Sequence, residues 1–153
     1  MPKYAYQGRL SVIVPVKNEE DNVAPLVREI AAALTGKAEF EIIYINDGST
    51  DRTQAVLDGL KTEFPMLRVI HHRASCGQSQ AVTTGVRAAR FEWIATLDGD
   101  GQNDPADIPR LIGRLLHEDL DLVVGWRQKR QDNVWLRKIP SRIANRLIRR
   151  ITE

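Results

Sequence analysis

Cysteine is nearly absent: Cys76 is the single one among 153 residues. One thiol excludes an internal disulfide and fits a reducing compartment. In that setting Cys76 reads as a small, half-buried loop residue rather than a nucleophile. No apolar run reaches the roughly 18 residues that a membrane-spanning helix needs, so nothing in this sequence crosses a bilayer. The opening stretch, Met-Pro-Lys-Tyr-Ala-Tyr-Gln, lacks the apolar core of a signal peptide. Internal repeats and low-complexity linkers are missing as well.

What remains is an ordinary soluble composition, 42% apolar and 27% charged, at a length that supports one domain with a real core. The net charge of +2 conceals an asymmetry. Residues 126–153 hold nine Lys/Arg against Asp132 and Glu153, whereas residues 1–125 hold 13 Lys/Arg against 18 Asp/Glu. A mildly acidic body therefore carries a strongly basic tail, which calls for an anionic partner.

Apolar runs at 10–16, 40–45, 67–70, 92–97 and 120–126 read as strands. Helical spacing falls between them: Val23, Leu26, Val27, Ile30 and Leu34, stopped by Gly36; a helix after Asn46-Asp47-Gly48-Ser49-Thr50-Asp51 reaching Glu63; another over 78–90; and a fourth opening at Asp104-Pro105. Ser49 or Thr50 is the expected cap of the second helix, with Asp51 favouring its N-terminal dipole. Five alternations with near-continuous apolar strands predict an α/β sandwich around a parallel sheet covered on both faces.

The polar clusters obey one rule. Lys17 to Asp21, Asn46 to Ser49, Arg73 to Gly77, Asp98 to Gln102 and Gly125 to Arg127 each follow the C-terminal end of an expected strand. In a parallel sheet those ends share one edge, where ligands bind. Within Asp98-Gly99-Asp100-Gly101-Gln102, two carboxylates one residue apart on a glycine-flanked turn make a hard oxygen site for Mg²⁺ or Mn²⁺. The alternative is a plain Asp/Gly turn with solvated carboxylates. A calcium loop of the EF-hand kind is a poor fit, because Asn103 stands where its glycine and Pro109 where its bidentate glutamate should be.

Pro15-Val16-Lys17-Asn18-Glu19-Glu20, Asn46-Asp47-Gly48-Ser49, Asp98-Gly99-Asp100-Gly101-Gln102 and Gly125-Trp126-Arg127 occur in the order and spacing of the family 2 glycosyltransferases. The chain resembles most the polyprenyl-phosphate sugar transferases, over roughly residues 10–150. The resemblance implies a GT-A-like three-layer sandwich with a mostly parallel central sheet, a nucleoside-diphosphate sugar donor, a divalent ion and inversion at the anomeric carbon. It places Pro15, Lys17, Glu19, Ile45 and Asp47 in a nucleotide pocket. Asp98, Gly99, Asp100 and Gln102 fall at the metal and diphosphate, with Asp100 and Gln102 as direct ligands, and Arg127 falls on the donor phosphates. Asp98, Asp100 and Arg127 would carry the catalysis. Lys17 stands where the mannose synthases carry Tyr, and Asn46 replaces the first Asp of the common Asp-Asp-Gly-Ser, so the base is left open between uridine and guanosine. The family extends well beyond this length. Residues 1–126 thus read as a nucleotide-sugar-binding core and 127–153 as the start of an acceptor- and membrane-facing region.

A hydroxyl acceptor needs a general base, whereas a lipid phosphate is already anionic at neutral pH. His71, His72 and His117 are the only histidines, and none makes a compelling base, although His71-His72 could approach the crevice. That favours a polyprenyl phosphate as acceptor. A polysaccharide or other hydroxyl acceptor is the alternative, and a non-catalytic nucleotide- or membrane-binding module a third reading. In the tail, Leu136, Ile139, Ile143, Leu147 and Ile151 alternate with Arg137, Lys138, Arg142, Arg146 and Arg150, the pattern of a basic amphipathic helix on an anionic membrane surface. The expected location is peripheral, on the cytoplasmic face. Only Trp126 and Trp135 interleave with the basic residues, which argues against nucleic acid. Exposed apolar tail residues would allow a homo-oligomer.

Overall fold

Alternating apolar runs and helical periods become eight elements in the computed structural model, which describes residues 7–125. They are β1 (Arg9–Val16), α1 (Glu20–Leu34), β2 (Glu39–Asn46), α2 (Thr53–Leu60), β3 (Leu67–His71), α3 (Gln78–Ala88), β4 (Ile94–Thr96) and α4 (Asp107–His117). Trp126, Arg127 and the predicted tail helix lie outside the described residues. The strands form one sheet in the order β3-β2-β1-β4, with every pairing parallel.

Period-2 alternation divides the strand side chains between two faces. Val12, Val14 and Val16 of β1 and Ile42 and Tyr44 of β2 pack under Val23, Leu26, Val27 and Ile30 of α1, Leu57 of α2 and Ile108 of α4. The opposite residues, Ile13, Ile43 and Ile45, meet Ala81 of α3. The result is the expected three-layer α/β sandwich. Each fully buried Ile or Val contributes about 1.5–3 kcal/mol.

α3 is seated more tightly than its modest apolar face would suggest. Gly85 lies so close to the sheet that an added Cβ would stand 2.5 Å from Ile13 Cγ2 and 2.7 Å from Ile45 Cδ1. Beneath the helix's C-terminal end sits a buried carboxylate, Glu41, at 3% exposure. It accepts from Ser11 Oγ on β1 (2.7 Å), Arg68 NH1 on β3 (2.6 Å) and the Arg90 N–H after α3 (2.6 Å). Arg68 also donates to the Ala88 carbonyl at the end of α3. Burial alone would raise the Glu41 pKa, but these donors and the guanidinium charge hold it below the ordinary value. One carboxylate thus ties three strands and one helix end together.

Several boundaries differ from the sequence reading, each for a local reason. α2 stops at Leu60, where the Glu63 and Phe64 N–H groups both turn back to the Leu60 carbonyl. Its entry is held by Asp51, whose Oδ1 accepts from Thr53 N–H, and not by Ser49 or Thr50. α4 begins at Asp107, three residues after the expected start, because Asp104 and Pro105 are used in a tighter turn closed by Asp107 N–H and Ile108 N–H. The expected fifth strand is absent from 120–125. Among the described residues no strand offers that stretch a ladder, and Leu122 and Val124 are 75% and 77% exposed.

Glu41→Ala should lower the free energy of unfolding by about 3 kcal/mol, since it strands the Ser11, Arg68 and Arg90 donors in a largely buried setting. Arg68 keeps some solvent, which sets the loss at the low end of the range for broken buried pairs. A urea midpoint shift at unchanged slope checks it.

Candidate functional site

The C-terminal ends of the four parallel strands open onto one cleft of about 490 Å³. Pro15 and Val16 end β1, with Lys17 and Glu19 beyond; Asp47 follows β2; Ser75, Gly77 and Gln78 lie between β3 and α3; and Asp98, Gly99 and Asp100 follow β4. The predicted convergence of loops on one rim therefore holds for four of the five clusters. The fifth keeps only Gly125 among the described residues.

The first two loops are fastened by side chains bonding to backbone. Asn18, at φ +56°, donates its N–H to Ser49 Oγ (2.9 Å), and its Oδ1 accepts from Thr50 N–H (2.8 Å). Glu19 N–H reaches Thr53 Oγ1, and Glu20 N–H reaches Asp51 Oδ2. Asn22 Nδ2 holds Glu19 Oε2 at 2.7 Å, orienting a carboxylate on the cleft wall.

Asp47 organises the third loop. It is 4% exposed. Oδ1 accepts from Cys76 N–H (2.8 Å) and pairs with His72 Nδ1 (2.7 Å); Oδ2 accepts from Ser75 Oγ (2.8 Å) and Gly77 N–H (2.9 Å). Burial alone would push its pKa up, yet these four contacts hold it far below the ordinary carboxylate range. Gly48, at φ +66°, lets the loop come in: a Cβ there would stand 2.6 Å from Ser75 N and 2.8 Å from Ala74 C. Lys17 Nζ adds a contact to Ser75 Oγ at 3.1 Å.

At the other end of the cleft, Gln78 Nε2 donates to Asp98 Oδ1 (2.8 Å), and Asp100 Oδ1 accepts from Gln102 N–H (3.0 Å). Gly99 between them fits a notch that a side chain would fill, with a Cβ landing 2.2 Å from Val16 Cγ1 and 3.0 Å from the Pro15 carbonyl. The two carboxylates are thereby pinned to the end of β1. Among the described residues, the cleft wall carries four carboxylates, Glu19, Asp47, Asp98 and Asp100, against one ammonium, Lys17.

The structure thus brings Pro15, Lys17, Glu19, Asp47, Asp98, Gly99 and Asp100 together on one wall. Ile45 is fully buried and offers a ligand no surface, because strand alternation turns it under α3 beside Ala81. Gln102 is exposed, its backbone closing the Asp100 turn. Arg127 lies outside the described residues. Cys76, expected half-buried, is exposed, with Sγ donating to the Ala74 carbonyl. Donor atoms of Asp47, His72 and Cys76 lie within 4.8 Å of one another, but they already serve the hydrogen bonds that fold the loop. The sequence reading missed Gln78 and the His72–Asp47 contact: Gln78 is only a polar residue at a helix start, and His72 only the residue after β3. Among the described residues, no helix is long and apolar enough to cross a membrane.

A family model described as Glycosyl transferase family 2 matches residues 11–153. The chain is 46% identical over 147 residues to a dodecaprenyl-phosphate galacturonate synthase of Rhizobium johnstonii, covering 94% of this chain and 43% of that protein. It is 38% identical over 156 residues to an undecaprenyl-phosphate 4-deoxy-4-formamido-L-arabinose transferase of an Enterobacter species, covering 99% and 46%. The chain therefore spans less than half the length of these curated relatives. Among solved structures, the mannosyltransferase PcManGT of Pyrobaculum calidifontis, in complex with GDP-Man and Mn²⁺, matches with TM-score 0.57 and 25% identity over 62% of this chain and 28% of that one. TarS of S. aureus matches with TM-score 0.60 at 23% identity, over 70% and 32%. The fold is the GT-A type of such transferases.

The Asp47 carboxylate sets an acid-stability prediction. Its folded pKa is depressed, so its stabilisation is complete above the unfolded value of about 4 and drains as pH falls towards the folded one. Asp47→Asn should cost about 1–3 kcal/mol at pH 7. The gap to wild type should narrow below about pH 4, as read by chemical denaturation across that range.

Proposed function

The chain belongs to the family 2 glycosyltransferases, and on that premise we propose that it forms the donor-binding part of an inverting, metal-dependent transferase. The sugar would move from a nucleoside diphosphate, UDP- or GDP-linked, to a polyprenyl phosphate. The observation that carries this reading is the charge of the cleft. Among the described residues, a diphosphate would enter a wall of four carboxylates and one Lys, where repulsion outweighs attraction unless a cation enters with it. The carboxylate pair flanking the Gly99 notch supplies the hard oxygens that Mg²⁺ or Mn²⁺ prefers. The PcManGT structure, with GDP-Man and Mn²⁺ bound, supports a divalent ion of this kind. The names of the two curated relatives support the polyprenyl-phosphate acceptor.

Asp98, Asp100 and Gln102 would hold the ion, which when bound neutralises charge growing on the departing diphosphate. Pro15, Lys17, Glu19 and Asp47 would form the nucleotide end, with Ile45 supporting it from below. Arg127 would contact the donor phosphates. At 4 Å and an effective dielectric of 20, one such charge pair is worth about 4 kcal/mol. The acceptor phosphate oxygen attacks the anomeric carbon from the face opposite the diphosphate. The sugar–diphosphate bond breaks with its electron pair leaving on the nucleotide, and the configuration inverts. That oxygen is already anionic, so no side chain need remove a proton. The basic tail, 127–153, would hold the protein peripherally on the cytoplasmic face of an anionic membrane, each Lys or Arg adding about 1 kcal/mol.

Calorimetry with UDP- and GDP-sugars should give binding only when Mn²⁺ is present, and Asp100→Ala should abolish it while the thermal midpoint stays put. Ion-independent binding, or an unfolded Asp100→Ala, would defeat the assignment. Vesicles containing phosphatidylglycerol should sediment the chain, and neutral vesicles should not. Sedimentation that ignores added salt would contradict an electrostatic tail.

A further inference from the structure

Gln78 is the one residue of α3 that reaches the carboxylate pair. It enters the cleft immediately after Gly77, whose N–H is held by Asp47 Oδ2 and whose backbone takes φ +91°. Its Nε2 stands 2.8 Å from Asp98 Oδ1. Three consecutive residues before it, Ser75, Cys76 and Gly77, all donate to Asp47. The helix it opens cannot slide, since Gly85 is seated on Ile13 and Ile45 and the Glu41 cluster holds the far end. Asp47 thus anchors the whole approach to α3, with four contacts on its two oxygens.

We propose that Asp47 and Gln78 are positioning residues that join the two ends of the cleft. Asp47 folds the 75–77 loop, and that loop presents Gln78, which turns Asp98 so that its carboxylate stays aimed at the ion. This deepens the function proposed above and rests on the Asp98/Asp100 pair being an ion site. A carboxylate ligand whose second oxygen is hydrogen-bonded is pre-oriented, and removing such a partner weakens ion binding on the order of tenfold.

The test is a Mn²⁺ titration of the whole chain without nucleotide, following the free aquo-ion by electron paramagnetic resonance, alongside thermal unfolding. Gln78→Met keeps the side chain's length and removes the amide. It should weaken Mn²⁺ on the order of tenfold with the thermal midpoint unchanged, a split that a purely structural role does not produce. Asp47→Asn should also weaken Mn²⁺, though it touches neither Asp98 nor Asp100. Gln78→Ser, whose hydroxyl is too short to reach Asp98, stands in should Gln78→Met fail to fold. If Asp100→Ala loses Mn²⁺ while Gln78→Met and Gln78→Ser bind like wild type, the positioning role is overturned and the ion site survives. If wild type takes no Mn²⁺, or Asp100→Ala binds as wild type does, both fall.

Discussion

One strand grips one helix by a carboxylate at each end, and the cleft exists because of it. Along β2 and its exit, Glu41, Ile43, Ile45 and Asp47 share a face by strand alternation. The two isoleucines bear the body of α3. Glu41 and its partner Arg68 hold the helix's C-terminal end through the Arg90 N–H and the Ala88 carbonyl. Asp47 holds the N-terminal approach through the Cys76 and Gly77 N–H groups. The Asp47 carboxylate suits the helix dipole at the start, and at the finish the Arg68 guanidinium, paired with Glu41, donates to the Ala88 carbonyl. Buried carboxylates are costly to desolvate, and each is tolerated here because several donors converge on it.

The two ends of the sheet have consequently been given different work. At the edge where the strands begin, Glu41, Ser11 and Arg68 cross-link three strands into a closed cluster. At the edge where the strands finish, loops fold mostly on one another through side chain–backbone bonds, and the carboxylates of Glu19, Asp98 and Asp100 face the cleft. Gly48 and Gly99 mark the places where that edge is packed most closely. Each brings a backbone segment within the distance that a single Cβ would occupy. A ligand entering this cleft meets loops already folded, so less ordering entropy opposes binding.

Much of this was legible in the residues. Parallel strands buried on both faces leave unbroken apolar runs, so β1 and β2 could be read directly, as could α1 from its 3.6-residue spacing. The run at 120–126 carried the same signal, but strand formation needs a neighbour, and a run of apolar residues does not say whether one exists. The site was legible where chemistry leaves a local mark, as in the Asp-Gly-Asp turn. It was illegible where a role depends on residues distant in the chain. Gln78 meets Asp98 across 20 positions and His72 meets Asp47 across 25, and neither has a neighbouring residue that announces the contact. Ile45 shows the converse, a residue placed beside the ligand by resemblance that its strand face turns into the core.

The charge of the cleft also constrains how donor and ion must arrive under the proposed function. Among the described residues, a diphosphate facing Glu19, Asp98 and Asp100 would be repelled, and Lys17, already engaged with Ser75, would offset only part of that. A divalent ion facing the same carboxylates is attracted, but it loses water to oxygens that lie on an exposed rim, where the effective dielectric is high and the gain modest. Each ligand would therefore bind better beside the other, since each supplies what the other lacks. Linkage then requires the ion to raise donor affinity by the same factor as the donor raises ion affinity. Under the proposed function, an acidic cleft built in this way would discriminate against free nucleotide and in favour of the ion–diphosphate pair, with selectivity residing in the pairing itself.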